Sequence, residues 1–384
     1  MSFRKKNVVL GSSAGGLVRE PVAQRQVTSS PPGTRPSPLD GRLTTSTGTA
    51  SLDQLLAGHA GLPLGCCLLI EESGTTDFSG ILLKYYAAEG LVQGHQVHVL
   101  GPTEAWRGEL PGLSKTSGSD GIQSKLVSGE KMKIAWRYES LGSSKTSKET
   151  SQGGGGTSSN FCHSFDLAKR LQISDIKGDL HVTASMPVTT WFQSPPGHPA
   201  PSPLEAFIAH LSAKIKTSAP GTVHRVLVPN LLSPTLYGPS VCRPADALQF
   251  LHMLRVLLRQ NSGNLSAIIS LSTSLYPRTA GLTRWMELLC DGVLEMLPLH
   301  RKVHLQPNTK SEDIIQGILK IHSLPIYHEK GGGPEGQSSR ENLSFRLSSS
   351  SGIVFRPYTL PPLLDGEDHK ELKETRSNGE KLDF

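Results

Sequence analysis

Residues Ser46–Lys84 read STGTASLDQLLAGHAGLPLGCCLLIEESGTTDFSGILLK. Three physically distinct pieces lie in that stretch. The apolar run Cys66–Ile70 is the length of a buried strand. Gly80–Glu89 carries Leu82, Tyr85, Tyr86 and Glu89 three or four apart, the spacing of a helix. Between them lies a polar segment, Glu72-Ser73-Gly74-Thr75-Thr76-Asp77-Phe78-Ser79. A strand that runs through a polar turn into a helix is a common place for an α/β protein to hold a phosphate.

The same alternation continues along the chain. Gln96–Leu100 and Val223–Val228 read as strands. Pro203–Lys216 reads as an amphipathic helix with Leu204, Phe207, Ile208, Leu211 and Ile215 on one face. Ala245–Gln260 is a further helix and Leu265–Leu271 a further strand. Gly292–Leu297 and Gly317–His322 are two later strands. Strand, helix, strand in repetition, with runs apolar on both faces, predicts the α/β class with a mostly parallel central sheet flanked by helices.

The order of features before the polar segment resembles the opening of RecA-like ATPases. Thr47-Gly48, Leu52-Asp53-Gln54-Leu55-Leu56, Gly61-Leu62-Pro63-Leu64-Gly65 and the strand to Ile70 follow one another as they do there. A phosphate loop then requires G-x-x-x-x-G-K-[ST], whose backbone N–H groups wrap the phosphates while the Lys reaches the β and γ oxygens. On that template Glu72 and Asp77 replace the two glycines and Phe78 replaces the Lys; Ser79 alone survives. Two carboxylates oppose a triphosphate, and the main attractive charge is missing. At the end of Val223–Val228, Asn230 stands where an acid would hold magnesium, and an amide carries no charge. The reading is a RecA-like fold with degenerate Walker motifs, no catalytic residue of its own, no metal and no cofactor.

A degenerate RecA-like chain of this kind resembles the fourth-subunit family of the Elongator complex. The residues that carry the resemblance are Ser46–Gly65, Leu68-Leu69-Ile70-Glu71-Glu72, Leu82–Gly94 and Lys131–Tyr138 (KMKIAWRY). Phe161–Leu171, Ser233-Pro234, the Leu248–Arg259 helix and the closing Leu382-Asp383-Phe384 extend it. The resemblance implies a six-membered ring with the fifth and sixth Elongator subunits, two copies of each, joined to the catalytic Elongator lobe. It also implies that the ring binds tRNA and supports carboxymethyl-type modification of the wobble uridine, U34. The subunit would be accessory rather than catalytic, and would reside in cytoplasm and nucleus. In such a ring the loops after the central strands face the axis. The candidate RNA-facing residues are therefore Tyr276, Arg278 and Arg284 in Ser272–Trp285, since aromatic stacking and phosphate contact read single-stranded RNA. Two other readings compete: a scaffold for transcription elongation by RNA polymerase II, and a stand-alone RecA-like ATPase, which would need the missing Lys.

The flanks set boundaries. Residues 1–42, rich in Gly, Ser, Pro and Arg, are expected to be a disordered basic tail. Residues 43–365 are expected to form the RecA-like domain, with flexible insertions near 105–130, 142–160 and 329–341, and 366–384 a charged tail. Over the 384 residues, 39 Lys and Arg against 33 Asp and Glu leave +6, which permits nucleic-acid contact without requiring it. No G-x-y period, heptad run or long apolar span is present, which excludes collagen, coiled coil and a membrane helix. Five cysteines without a C-x-x-C support neither a disulfide framework nor a zinc site, and suit a reducing compartment. The G-x-S-x-G match at Gly11–Gly15 has no strand before it or helix after it, so it is not a nucleophile elbow.

Overall fold

The apolar runs become strands and the helical spacings become helices in the computed structural model, which describes residues 30–56, 58–114, 160–184, 202–238, 242–299, 315–325, 343–348 and 352–358. Strands β1 (Thr34–Pro36), β2 (Leu43–Thr45) and β3 (Leu62–Pro63) make a small antiparallel sheet, with helix α1 (Ala50–Leu55) between the last two. Next come β4 (Cys67–Glu72), α2 (Phe78–Gln93), β5 (Gln96–Gly101), β6 (Pro111–Leu113), β7 (Phe165–Arg170) and β8 (Asp179–Ala184). Helix α3 (Pro203–Thr217), β9 (His224–Val228), α4 (Pro244–Gln260), β10 (Leu265–Ser272) and α5 (Gly281–Leu289) follow. Strands β11 (Gly292–Pro298), β12 (Gly317–Ser323), β13 (Leu343–Ser348) and β14 (Gly352–Pro357) complete the order.

The main sheet runs β14-β13-β12-β11-β4-β10-β9-β5-β8. From β11 to β8 every pairing is parallel, and β12, β13 and β14 extend the sheet antiparallel beyond β11. This is a RecA-like α/β fold: the strand that leads into the polar segment lies at the middle, and β9 is one strand removed from it. The pleat sends alternate side chains to opposite faces. Leu68, Ile70, Leu227 and Ile268 pack toward α2, while Leu69, Val226, Val228 and Ile269 pack toward α3 and α4. Each such aliphatic side chain, fully buried, contributes about 1.5–3 kcal/mol, which is why the central strands are apolar on both faces.

The lead-in sequence has a physical reason. Asp53 of α1 is buried and accepts from Ser46 Oγ at 2.6 Å, Thr47 Oγ1 at 2.7 Å and the Thr47 N–H at 2.8 Å. Gly48 follows at φ 78°, and a Cβ there would stand 2.5 Å from the Tyr85 carbonyl oxygen of α2. The backbone so fixed meets Arg225 of β9, which is fully buried. Its guanidinium donates to the Ser46 and Tyr86 carbonyls at 2.9 Å each, to Thr45 Oγ1 at 2.6 Å and to His95 Nδ1 at 2.9 Å. A buried arginine is tolerable only when its donors are matched in this way.

The structure departs from the sequence reading in three places. Within the stretch expected to be a tail, Thr34–Pro36 pairs with β2, and the Arg35 guanidinium lies 3.6 Å over the Phe161 ring and donates to the Ala60 carbonyl. Gly, Pro and Arg looked solvated in composition, yet a strand partner and an aromatic face hold them. Within the expected insertion near 105–130, a 3₁₀ helix over Glu104–Glu109 and strand β6 bury Trp106 and Leu110 in the α2-side core. The stretch Ser272–Trp285, read as a loop, becomes helical from Gly281. Lys131–Tyr138, the insertions at 142–159 and 329–341, and the tail from 366 lie outside the described residues.

Candidate functional site

Helix α2 begins where a phosphate loop would present its amides. A helix N-terminus leaves unpaired N–H groups and a partial positive charge, which together bind anions. Here those donors already have an anion. Glu72, the last residue of β4, is buried and turns its carboxylate onto the helix start. Its Oε2 accepts the Ser79 N–H at 2.7 Å, and its Oε1 accepts the Phe78 N–H at 3.0 Å and Thr76 Oγ1 at 2.7 Å. Asp77 stands at the N-cap position, where its side chain makes no capping hydrogen bond. Burial raises the Asp77 carboxyl above its usual range, against the pull of Lys84, Asn230 and the Gly80 N–H.

Glu72 thus does more than repel a phosphate; it takes donors that a phosphate would need. Phe78 turns away from the loop and meets the β13 residue Phe345 edge-on at 5.0 Å, within a larger aromatic contact that includes Phe355. The ring that replaces the Lys therefore holds β13 onto the sheet. Ser79, the surviving template residue, is buried and its Oγ has no hydrogen-bond partner among the described residues.

The degenerate Walker B position is brought to the same place. Asn230 follows β9 with φ 44°, a left-handed conformation that Asn tolerates, and its N–H donates to Ser270 Oγ at 2.8 Å. Beside Asp77 and Asn230 a cleft of about 520 Å³ opens at the carboxyl ends of β5, β8 and β9, with Thr103, Lys84 and Glu109 on its wall. Lys84 Nζ lies 2.7 Å from Glu109 Oε2, so this cation has a carboxylate partner. The residues present do not fit a triphosphate with magnesium: the amides are engaged, the acid at Asn230 is an amide, and no Lys stands on the loop.

The expected RNA-facing residues separate. Arg278 points into an acidic cluster. Its Nε lies 3.0 Å from Glu71 Oε2 and 2.9 Å from Glu287 Oε1, and its Nη1 lies 3.8 Å from Glu295 Oε2 and 2.8 Å from His322 Nε2. Burial pushes the Glu71 carboxyl up to about 8, with Glu287 and Glu295 adding repulsion and Arg278 opposing. Tyr276 is half-buried and donates its hydroxyl to the Leu232 carbonyl at 3.0 Å. Both residues anchor the segment after β10 and do not offer free groups to RNA. Arg284 remains at the surface, with Nη1 3.0 Å from Glu287 Oε2. Trp285 and Leu288 of α5 are exposed beside it. The cluster around Arg278 was not foreseen, because its carboxylates come from β4, α5 and β11 and only the sheet unites them.

Comparison with known proteins bears on the whole chain. The family model described as PAXNEB protein matches residues 27–384. Elongator complex protein 4 of Schizosaccharomyces pombe is 32% identical over 95% of this chain and 99% of its own length. The protein of that name from Saccharomyces cerevisiae is 26% identical over 85% of this chain and 77% of its length, and the human one 29% over 92% and 83%. Among solved structures, a KaiC-like protein of Pyrococcus horikoshii aligns with a TM-score of 0.42 at 13% identity, covering 82% of this chain and 99% of that one. The fold assignment rests on the strand order and not on that alignment. Among the described residues no helix is long and apolar enough to cross a membrane.

Proposed function

The chain belongs to the PAXNEB family of Elongator complex subunits, and on that premise we propose that it is a non-catalytic member of a RecA-like ring. In this reading it joins the fifth and sixth Elongator subunits, two copies of each, and the ring binds tRNA for the catalytic lobe that modifies U34. The complex works in cytoplasm and nucleus. The observation that carries the accessory role is the capture of the Phe78 and Ser79 amides at the start of α2 by Glu72. A chain whose phosphate donors are bound internally serves as a building block. In a ring, the face that would otherwise grip nucleotide is then available as contact surface. Arg284, exposed after β10, is the residue of the original candidate set that can still meet RNA.

Three measurements test the reading. Co-expression with the fifth and sixth subunits, followed by native mass measurement, should return a hexamer; a stable monomer that ignores them sinks the ring. Purified chain should not turn over ATP; turnover near one per second would place it among ordinary enzymes. A salt-dependent tRNA gel shift by the assembled ring separates the tRNA role from a protein-only scaffold.

A further inference from the structure

Four imidazoles form a row from the core to the edge of the main sheet. His224 of β9, His98 of β5 and His181 of β8 lie on the face covered by α3, and His210 of α3 continues the row outward. Ring centroids stand 5.3 Å apart for His98 and His224, 5.0 Å for His98 and His181, and 6.1 Å for His181 and His210. His98 Nε2 and His224 Nδ1 are 3.1 Å apart and share a hydrogen bond. Their other ring nitrogens, His98 Nδ1 and His224 Nε2, are buried without a hydrogen-bond partner among the described residues. Among those residues no three His, Cys, Asp or Glu side chains are arranged to hold a metal ion.

The outer end of the row is cationic. Lys214, one turn beyond His210 on the same face of α3, and Arg107, whose Nη2 lies 3.5 Å from the Leu180 carbonyl of β8, both bear on His181. Neither forms an ion pair with a carboxylate among the described residues. Asp179 is the opposing charge, and it is engaged: the Gln96 side chain donates to it at 2.8 Å and accepts from His181 Nε2 at 2.8 Å. Gln96 therefore fixes the proton of neutral His181 on Nε2 and leaves Nδ1 as its open acceptor.

We propose that this β8 edge, where Arg107, His181, His210 and Lys214 converge, is a binding site for the phosphodiester backbone of RNA. The inference rests on the reading of the chain as part of a tRNA-binding ring, and gives that reading a location other than the segment after β10. Two cations with no carboxylate ion pair among the described residues, beside two imidazoles, make a strip that attracts a polyanion and releases its counterions. The strip also couples binding to protons. Burial, Lys214, His210 and Arg107 keep His181 below the usual histidine range, with Asp179 opposing. Burial together with His224, His181, His210 and Lys214 holds His98 neutral as well, lowered to about 2. A phosphate set against His181 would reverse the sign of the local field, so His181 would take up a proton as RNA binds.

The test uses fluorescently labelled tRNA with the full chain and with the ring reconstituted from all three subunits, across salt and across pH 6 to 8. Wild-type affinity should rise as pH falls. The double variant Arg107→Gln/Lys214→Gln should bind about tenfold more weakly, with a salt slope reduced by about two contacts. His181→Gln should flatten the pH dependence while thermal unfolding of both variants matches wild type. Wild-type binding with an unchanged salt slope in the double variant would overturn this site and leave the ring reading standing. Absence of tRNA binding by the wild-type ring would overturn both. Polyglutamate binding as tightly as tRNA, at equal charge and with the same loss in the double variant, would reassign the edge to an acidic protein and overturn the RNA assignment.

Discussion

The Glu72 carboxylate receives the Ser79 amide at 2.7 Å across the start of α2. A bound phosphate would accept that amide in a working loop; here the anion is part of the chain. The strand end that should deliver a glycine delivers the anion itself, so the helix dipole is satisfied and the loop is closed without a ligand.

Replacing that internal anion should reopen the site. Glu72→Ala leaves the Phe78 and Ser79 amides without acceptors, at a cost of about 1–3 kcal/mol. The vacated amides should then accept a small oxyanion. Thermal unfolding of the variant should shift upward in phosphate or sulfate relative to chloride at matched ionic strength, by more than wild type does. Equal shifts for the two proteins would show that the amides are not what Glu72 holds.

Restoring the lysine should not restore the enzyme. Phe78→Lys removes the edge-on contact with Phe345 and the apolar cover it gives β13, a loss of about 1–3 kcal/mol. Glu72 still holds the first amides of α2, so ATP turnover should stay at background while urea unfolding moves to lower concentration. Gain of ATP hydrolysis in this single variant would contradict the role assigned to Glu72.

Much of the fold was legible because its central strands announce themselves. Cys66–Ile70 is apolar on both faces, as a covered parallel strand is, and Leu265–Leu271 is apolar on one face with Ile268 between two serines on the other. Strands β13 and β14 were not read, since Leu343, Phe345, Ile353 and Phe355 alternate over short spans beside stretches of polar residues. Strand β1 was hidden by composition: Arg35 and Pro36 look solvated until β2 and Phe161 are placed beside them. At the site, the substitutions at Glu72, Asp77, Phe78 and Asn230 were visible from spacing, but their effect was not. Repulsion of phosphate could be inferred from charge. Capture of the amides depends on where a side chain turns, and Arg278 looked free because Glu71, Glu287 and Glu295 reach it only through the sheet.

Asp53 should prove the keystone of the lead-in. Its carboxylate accepts two hydroxyls and one amide from Ser46 and Thr47, and Arg225 reads the Ser46 carbonyl just beyond. Asp53→Asn turns one acceptor into a donor facing donors, and should cost about 1–3 kcal/mol; Asp53→Ala should cost more, because three buried donors lose their acceptor. Urea unfolding measures both. A change below half a kcal/mol in Asp53→Ala would show the network to be incidental.

Glu71 predicts a pH dependence of stability whose sign is opposite to that of an ordinary surface carboxylate. Its folded value of about 8 lies above the reference 4.5, so the folded chain binds more protons than the unfolded chain between those two limits. Stability from this group is therefore full at low pH and declines as pH rises toward 8. His95, His98, His181 and His224 are all lowered by burial, so their unfolded imidazoles bind the more protons and give a slope of opposite sign that fades only about one pH unit above 6.5. From pH 7.5 to 8.5, the difference between wild type and Glu71→Gln therefore reports Glu71. Wild type should lose more stability across that interval than Glu71→Gln, which keeps the shape and removes the titration. Parallel slopes in the two proteins, measured by urea unfolding at pH 7.5, 8.0 and 8.5, would locate the titration elsewhere and leave Glu71 ionised against Arg278.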